Sequence, residues 1–365
     1  HNIEAMARAN KGGVWVSNAA KSGHMMKIDR RAAPYAYKMG LTVYLDDVTA
    51  GLPGARSFCR QIEADLGLPP DTVRATGWAS PSASGATCHY DTDDIISVQL
   101  RGTKRFDLAP MPDLPQPTGR QYSPGTRLVD ETYPQMVNGF PTWQDAAFES
   151  LEMAPGSVLF FQRGTWHRTH SGGDSLSISF VLEPPTAAEC VLRQLRDVML
   201  QDPRWRKPLY GAWGSGPRSE AAHRETGELL AQVPEIARVI APRNVAMAFM
   251  SEEQRLALID RESRFQRIPN AAIVAGTPSA EAVEADIVHR QEDGSEQRLA
   301  TLTVPSLGLD ALNWIAAQDA PFRMDALAAE FPAIPFDGLR RLLESSAKAG
   351  LVKMLWFPAL GDRGS

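Results

Sequence analysis

No run of about eighteen or more apolar residues occurs in the 365-residue chain, which argues against a membrane span. Cysteine is scarce: Cys59, Cys88 and Cys190 are the three, at unrelated spacings. An odd set of that kind suits neither a disulfide framework nor a zinc site, and it points to a reducing, cytoplasmic setting. Positive charge is not in excess. The formal net charge of −5 counts against a protein that holds nucleic acid on a broad basic surface, although a local basic groove stays open. Internal repeats and low-complexity tracts are missing, and the composition, 43% hydrophobic and 22% charged, is that of an ordinary globular chain. His1 to Lys11 lack the apolar centre of a secretory signal. They also lack an initiator Met, so the native start is expected elsewhere than at His1. At this length two or three domains are expected.

The periodicity divides the chain by texture. Residues 40–48 read as a strand, and residues 54–66 as a helix with Phe58, Ile62 and Leu66 on one face, closed by Pro69-Pro70. From about 73 to 183 short β-type runs dominate, at 95–100, 104–108, 158–161 and 176–181. Strands of this length between Gly and Pro turns predict a sandwich or barrel. Residues 109–147, rich in Pro, Gly, Gln and Thr, form a long connection of the kind that serves as a lid or substrate loop. After Glu183-Pro184-Pro185 helices are predicted over 187–200, 219–240 and 251–261, then a hairpin turning at Asp293-Gly294. Three more helices, 309–318, 324–330 and 336–349, and an apolar strand at 351–357 have the outline of a winged helix.

Chemistry concentrates in the β-rich part. Side chains at i and i+2 of a strand share a face, so His89 and Asp91 would project together while Cys88 and Tyr90 point away. Two imidazoles and one carboxylate form a facial triad that leaves positions open on a non-haem Fe(II). His-x-Asp alone is a weak signal that a polar surface strand would also give. The third ligand is sought among seven histidines. His1, His24, His223 and His289 lie outside the β-rich part or in loops, which leaves His167, after the apolar run 158–161, with His170 as its competitor.

The run His89-Tyr90-Asp91 to Gln99-Leu100-Arg101-Gly102-Thr103-Lys104-Arg105-Phe106 resembles the core of the JmjC branch of cupin-fold 2-oxoglutarate oxygenases. Pro155-Gly156-Ser157-Val158-Leu159-Phe160-Phe161, followed by Gly164-Thr165-Trp166-His167, resembles that family's second motif, and the likeness covers roughly residues 35–185. The resemblance implies an α+β chain with a double-stranded β-helix (jelly-roll, cupin) core. It implies Fe(II) on His89, Asp91 and His167, with 2-oxoglutarate and O₂ as co-substrates. Lys104, fifteen positions after His89, matches the basic residue that meets the distal carboxylate of 2-oxoglutarate. Ser97, Thr87 and Ser179 are expected as further co-substrate contacts, with ordinary strand polarity as the alternative for each.

A JmjC core followed by helices and a winged-helix-like end is similar to the ribosomal-oxygenase group, whose His-x-Asp-x-x-Asp pattern Asp94 also fits. That likeness implies three domains, at 1–185, 186–272 and 273–365, with the helical block pairing two subunits in a homodimer. The activity implied is hydroxylation of a C–H bond on a peptide or protein side chain, yielding succinate and CO₂. Hydroxylation of a free amino acid, precursor peptide or other small molecule is the alternative, ahead of lysine demethylation and a non-catalytic metal-binding cupin. Direct DNA binding by the last domain is not expected. Between Leu307 and Pro358 five Lys and Arg face six Asp and Glu, too acidic a balance for phosphate neutralisation.

Overall fold

The computed structural model describes residues 3–17, 25–137, 139–144, 146–275 (without the side chain of 275) and 282–358. His1 and His24 lie outside the described residues. The chain divides into two compact units, His1–Pro184 and Pro185–Ser365.

The first unit opens with α1 (Ile3–Ala9), β1 (Val14–Ser17), β2 (Met25–Ile28), α2 (Ala33–Lys38), β3 (Thr42–Leu45), α3 (Ala55–Leu66) and β4 (Val73–Ser80). It continues with β5 (Asp94–Arg101), β6 (Lys104–Ala109), β7 (Glu149–Met153), β8 (Val158–Phe161), β9 (Trp166–Ser171) and β10 (Ser175–Leu182). A seven-stranded sheet runs β2-β1-β3-β4-β10-β5-β8 and a three-stranded sheet β7-β6-β9, both antiparallel throughout. Ile95, Phe106, Met153, Phe161 and Val181 join the inner faces of the two sheets in one apolar cluster. The result is a mixed α+β, cupin-like fold.

β5 shows how sequence sets the layers. Ile95, Ser97 and Gln99 are buried on the inner face, while Ile96, Val98 and Leu100 pack outward into the cluster that holds Cys59 and Ile62 of α3. A strand apolar on its outer face needs a cover, and α3 supplies it. Of the helix residues expected on one face, Ile62 is buried, whereas Phe58 and Leu66 are exposed and Phe58 meets Phe180 edge-on. The β5–β6 hairpin turns at Gly102, where φ is +67° and a Cβ would sit 2.2 Å from the Asp174 carbonyl oxygen. Only glycine fits there.

The segment 109–147 is more than an excursion. Met111, Leu114, Tyr122 and Leu128 are buried with Cys88, Tyr90, Ala109 and Trp166, and Trp143 and Phe148 pack on the same cluster. It gives the back of the His89–Asp91 segment a core of its own. Full burial of such side chains is worth roughly 2–3 kcal/mol each.

In the second unit a capping box, Thr186 with Glu189, starts the helix Ala187–Met199. The helix expected over 219–240 is two, Pro217–Leu230 and Val233–Arg238. Pro234 explains the break, because it lacks an N–H and opens the second helix instead. The helix expected over 251–261 is shorter, Glu252–Ala257. The hairpin forms between Ala282–Arg290 and Glu296–Pro305. Helices Ser306–Ala316, Met324–Glu330 and Phe336–Lys348 surround Leu312, Ile315, Leu327, Leu339 and Leu343. The final strand, Val352–Leu355, pairs with Arg264–Arg267.

Candidate metal and co-substrate site

His89 and Asp91 do not lie in a regular strand, as their spacing had suggested. They sit on an extended segment held by single bridges on both sides, His89 to His167 and Tyr90 to Tyr122. The alternation still holds: His89 and Asp91 face a cavity, and Cys88 and Tyr90 face the apolar cluster behind. The bridge to His167 is reciprocal, with His89 N–H donating to the His167 carbonyl at 2.9 Å and His167 N–H to that of His89 at 2.8 Å. The two imidazoles are thereby brought together, ring centres 4.0 Å apart and planes tilted by 55°.

One ligand atom from each of His89, Asp91 and His167 lies within 4.8 Å of the others. Nε2 of His89 is 3.9 Å, and that of His167 3.6 Å, from the Asp91 carboxylate. Each Nδ1 lies against a carbonyl two residues back, Thr87 at 2.6 Å and Thr165 at 3.0 Å. A carbonyl only accepts, so each Nδ1 carries the proton and each Nε2 presents its lone pair toward the carboxylate. Burial, reinforced by His89, pushes His167 down to about 4, so it is neutral at neutral pH, the form in which an imidazole can bind a metal.

A second clamp sets the spacing. Asp94 accepts from the Arg163 backbone N–H at 2.9 Å and from its guanidinium at 3.4 Å. The Gly164 N–H donates to the Asp91 carbonyl at 2.9 Å. The turn before Trp166-His167 is therefore pinned to the segment that carries the other two groups.

The cavity is open to one side and has a volume of about 270 Å³, and Lys104 lines it with Thr76, Trp78, Phe106, Thr169 and Ser179. Lys104 is 4% exposed, with Nζ over the rings of Trp78 and Phe106 at 5.5 and 5.1 Å. Among the described residues it has no carboxylate partner, and burial alone pushes it down to about 8. An unpaired buried ammonium is expensive, so the site is complementary to an anion. Asp93 also lines the cavity; burial, with Glu183 and Asp91 nearby, pushes it up to about 6.

The other expected contacts separate. Ser179 lines the cavity, and Ser97 lies behind it, hydroxyl to hydroxyl at 3.4 Å. Ser97 does not reach the cavity. Thr87 does not either: it lines a separate space of about 350 Å³ with Cys88, Trp143 and His170, and gives the site only its carbonyl. Gln99 spans the hairpin turn, donating to the carbonyls of Arg101 and Gly102 and to Ser175. His170 is exposed and lies 3.8 Å from Asp107, away from the cavity. Tyr44, Arg74, Trp78 and Gly119 to Gln121 line the cavity without having been singled out in the sequence. Strand parity alone would have found Thr169, two residues beyond His167.

Comparison with known proteins agrees with this geometry. The JmjC domain family matches residues 62–190. The uncharacterized protein YxbC of Bacillus subtilis is 24% identical over 173 residues, 47% of this chain and 52% of that protein. Jumonji C domain-containing protein 5 of Drosophila melanogaster is 28% identical over 119 residues, 30% of this chain and 28% of its own length. The bifunctional lysine-specific demethylase and histidyl-hydroxylase NO66 of Drosophila willistoni is 26% identical over 168 residues, 45% and 20% of the two chains. The chain spans about half the length of the first of these relatives and less of the others. Among solved structures, the ribosomal oxygenase YcfD of Escherichia coli, in complex with cobalt and succinic acid, aligns over 96% of this chain and 89% of its own, at 12% identity and a TM-score of 0.42.

The antiparallel sheets and the His-Asp-His cluster together resemble a JmjC-type cupin. Residues 62–190 match the JmjC domain family, and the His-Asp-His cluster inside them fits iron with 2-oxoglutarate as co-substrate.

Proposed function

We propose that the chain is an Fe(II)- and 2-oxoglutarate-dependent dioxygenase that uses O₂ to hydroxylate a C–H bond of a peptide or protein side chain. One observation carries this: beside three groups disposed as metal ligands lies a buried lysine that has no anionic partner among the described residues. His89, Asp91 and His167 would hold Fe(II), and Lys104 the distal carboxylate of 2-oxoglutarate, with Ser179 as a further polar contact. Iron with 2-oxoglutarate would supply the oxidant, with succinate and CO₂ as co-products. The chain's own part is positioning. The carbonyls of Thr87 and Thr165 orient the imidazoles, and Lys104 orients the co-substrate.

A protein-directed substrate is supported by the relative named for lysine-specific demethylation and histidyl hydroxylation. The same proposal includes the three-domain division at 1–185, 186–272 and 273–365, a winged-helix-like last domain and a cytoplasmic location. It also includes a homodimer through the helical block, where Leu192 and Trp213 are exposed. Iron-dependent succinate formation from 2-oxoglutarate tests the activity. His89→Ala and Asp91→Ala should abolish it, and mass spectrometry of incubated peptides should show the gain of one oxygen. Purified protein that neither binds nor turns over 2-oxoglutarate with Fe(II) would sink the proposal.

A further inference from the structure

Another cavity lies within the second unit, about 510 Å³ in volume, with Met247, Leu258, Leu355 and Phe357 in its walls. Arg243, Arg264 and Arg323 line it as well. Strand pairing places two of these cations side by side. Arg264 opens the strand Arg264–Arg267, and its cross-strand neighbours are Arg323 on one side and Leu355 on the other. Residues directly opposite in an antiparallel pair project from the same face, and like charges there repel. Phe265, the next residue, points the other way and is fully buried in the core of the unit.

The three arginines are not equally provided for. Arg243 is bound to both Asp260 and Glu262. Arg323 is bound to Asp325 at 2.9 Å. Among the described residues the Arg264 side chain has neither a hydrogen bond nor an ion pair, and Nη1 of its guanidinium is buried. A cationic N–H held away from water without an acceptor is costly, and at the wall of an open cavity it calls for an anion from outside. The walls themselves are tied. Asn244 donates to the Trp356 carbonyl at 3.2 Å, and Arg243 fastens the helix Pro242–Met247 to the turn at 260–262.

The charges also limit which anion fits. Three arginines stand against Asp260, Glu262 and Asp325, so the group is neutral in sum and repels a polyanion beyond its first charge. A single carboxylate matches the planar fork of Arg264 with two parallel hydrogen bonds and leaves the apolar walls to an apolar body. The volume is in the range of small-molecule sites.

We propose that this cavity is a binding site for a monocarboxylate with an apolar body, held by Arg264 and steadied by Arg323. The proposal stands apart from the metal cluster and does not rest on the oxygenase reading. A free small molecule and the C-terminus of a peptide carry the same chemistry, and the test separates them.

Isothermal titration calorimetry on the full chain uses octanoate and octanamide, acetyl-leucyl-leucine and its amide, and inorganic phosphate. Octanoate or acetyl-leucyl-leucine should bind at least about ten-fold more tightly than its amide, and the tighter of the two acids identifies the source. Arg264→Met should bring the ratio of acid to amide close to one, and Arg264→Lys should keep part of it. Arg323→Gln should weaken the acid by about three-fold. Lys104→Met should bind the acid as the unaltered chain does, which separates this cavity from the one beside His167. Thermal unfolding gives a second readout: Arg264→Met should raise the Tm of the ligand-free protein, because an unpaired cation is removed. Acids bound no better than their amides, phosphate bound more tightly than either acid, or acid binding that survives Arg264→Met would each overturn the proposal. So would the absence of acid binding up to about 10 mM.

Discussion

Lys104 and Asp107 stand three residues apart on β6, on opposite faces, and both are buried, at 4% and 2% exposure. Their surroundings differ completely. Asp107 accepts from Ser150 at 2.7 Å and Arg168 at 2.9 Å, and Arg105 lies 3.1 Å away. Burial alone would raise its carboxyl, but the bonds from Ser150 and Arg168 outweigh that and hold it below the usual range. Lys104 has two aromatic rings and, among the described residues, no anion. A buried charge with a full set of partners fastens two strands; a buried charge without them marks where a ligand's charge belongs.

The largest expected effect follows directly. Lys104→Met should weaken 2-oxoglutarate binding at least about 100-fold, because a charge-assisted contact is lost in a dry site. The same change should raise thermal stability of the ligand-free protein, by roughly 2 kcal/mol, since an unpaired buried ion is removed. If both quantities fall, Lys104 is structural and the contrast with Asp107 fails. Asp107→Ala should do the reverse, costing about 2 kcal/mol in denaturant unfolding and leaving 2-oxoglutarate affinity within about two-fold.

Asp94→Ala removes the clamp on the turn before His167 and should weaken Co(II) or Fe(II) binding by about ten-fold, read by metal titration. The pH dependence is smaller. Lys104 in the folded protein loses its proton near 8, below its ordinary 10.5, so 2-oxoglutarate affinity should decline as pH rises through about 8. Between those two values the unfolded chain binds the extra proton, so stability of the ligand-free protein should rise with pH, and Lys104→Met should flatten that slope. Smallest is Ser179→Ala, expected to change 2-oxoglutarate affinity by less than about three-fold.

Much of the site was legible because its residues obey short-range rules. The alternation of Cys88 to Asp91 and the position of Lys104 after the Gly102 turn are local, and the fold keeps both. Thr87 and Ser97 lie off the cavity wall, and polarity on a β-type segment does not report depth: Ser97 is screened by Ser179 on the neighbouring strand, and Thr87 faces another space. The partners of Arg74 were invisible because Asp46 and Glu183 come from distant parts of the chain. The core inside residues 109–147 was missed for a different reason. Its apolar residues follow neither a helical nor a strand period, and they cluster with Tyr90 and Trp166 from distant parts of the chain.

The reciprocal backbone bonds between His89 and His167 bear on a matter outside catalysis, which is the choice of ion. The spacing of the two imidazoles is fixed by main-chain pairing and by the carbonyls of Thr87 and Thr165, none of which senses the identity of the metal. A grip set in this way ranks divalent ions by their intrinsic affinity for nitrogen and oxygen, an order in which copper, nickel and zinc stand above iron. On the proposed oxygenase reading, iron occupancy then depends on which ions the surroundings supply, and traces of those competitors are expected to inhibit 2-oxoglutarate turnover.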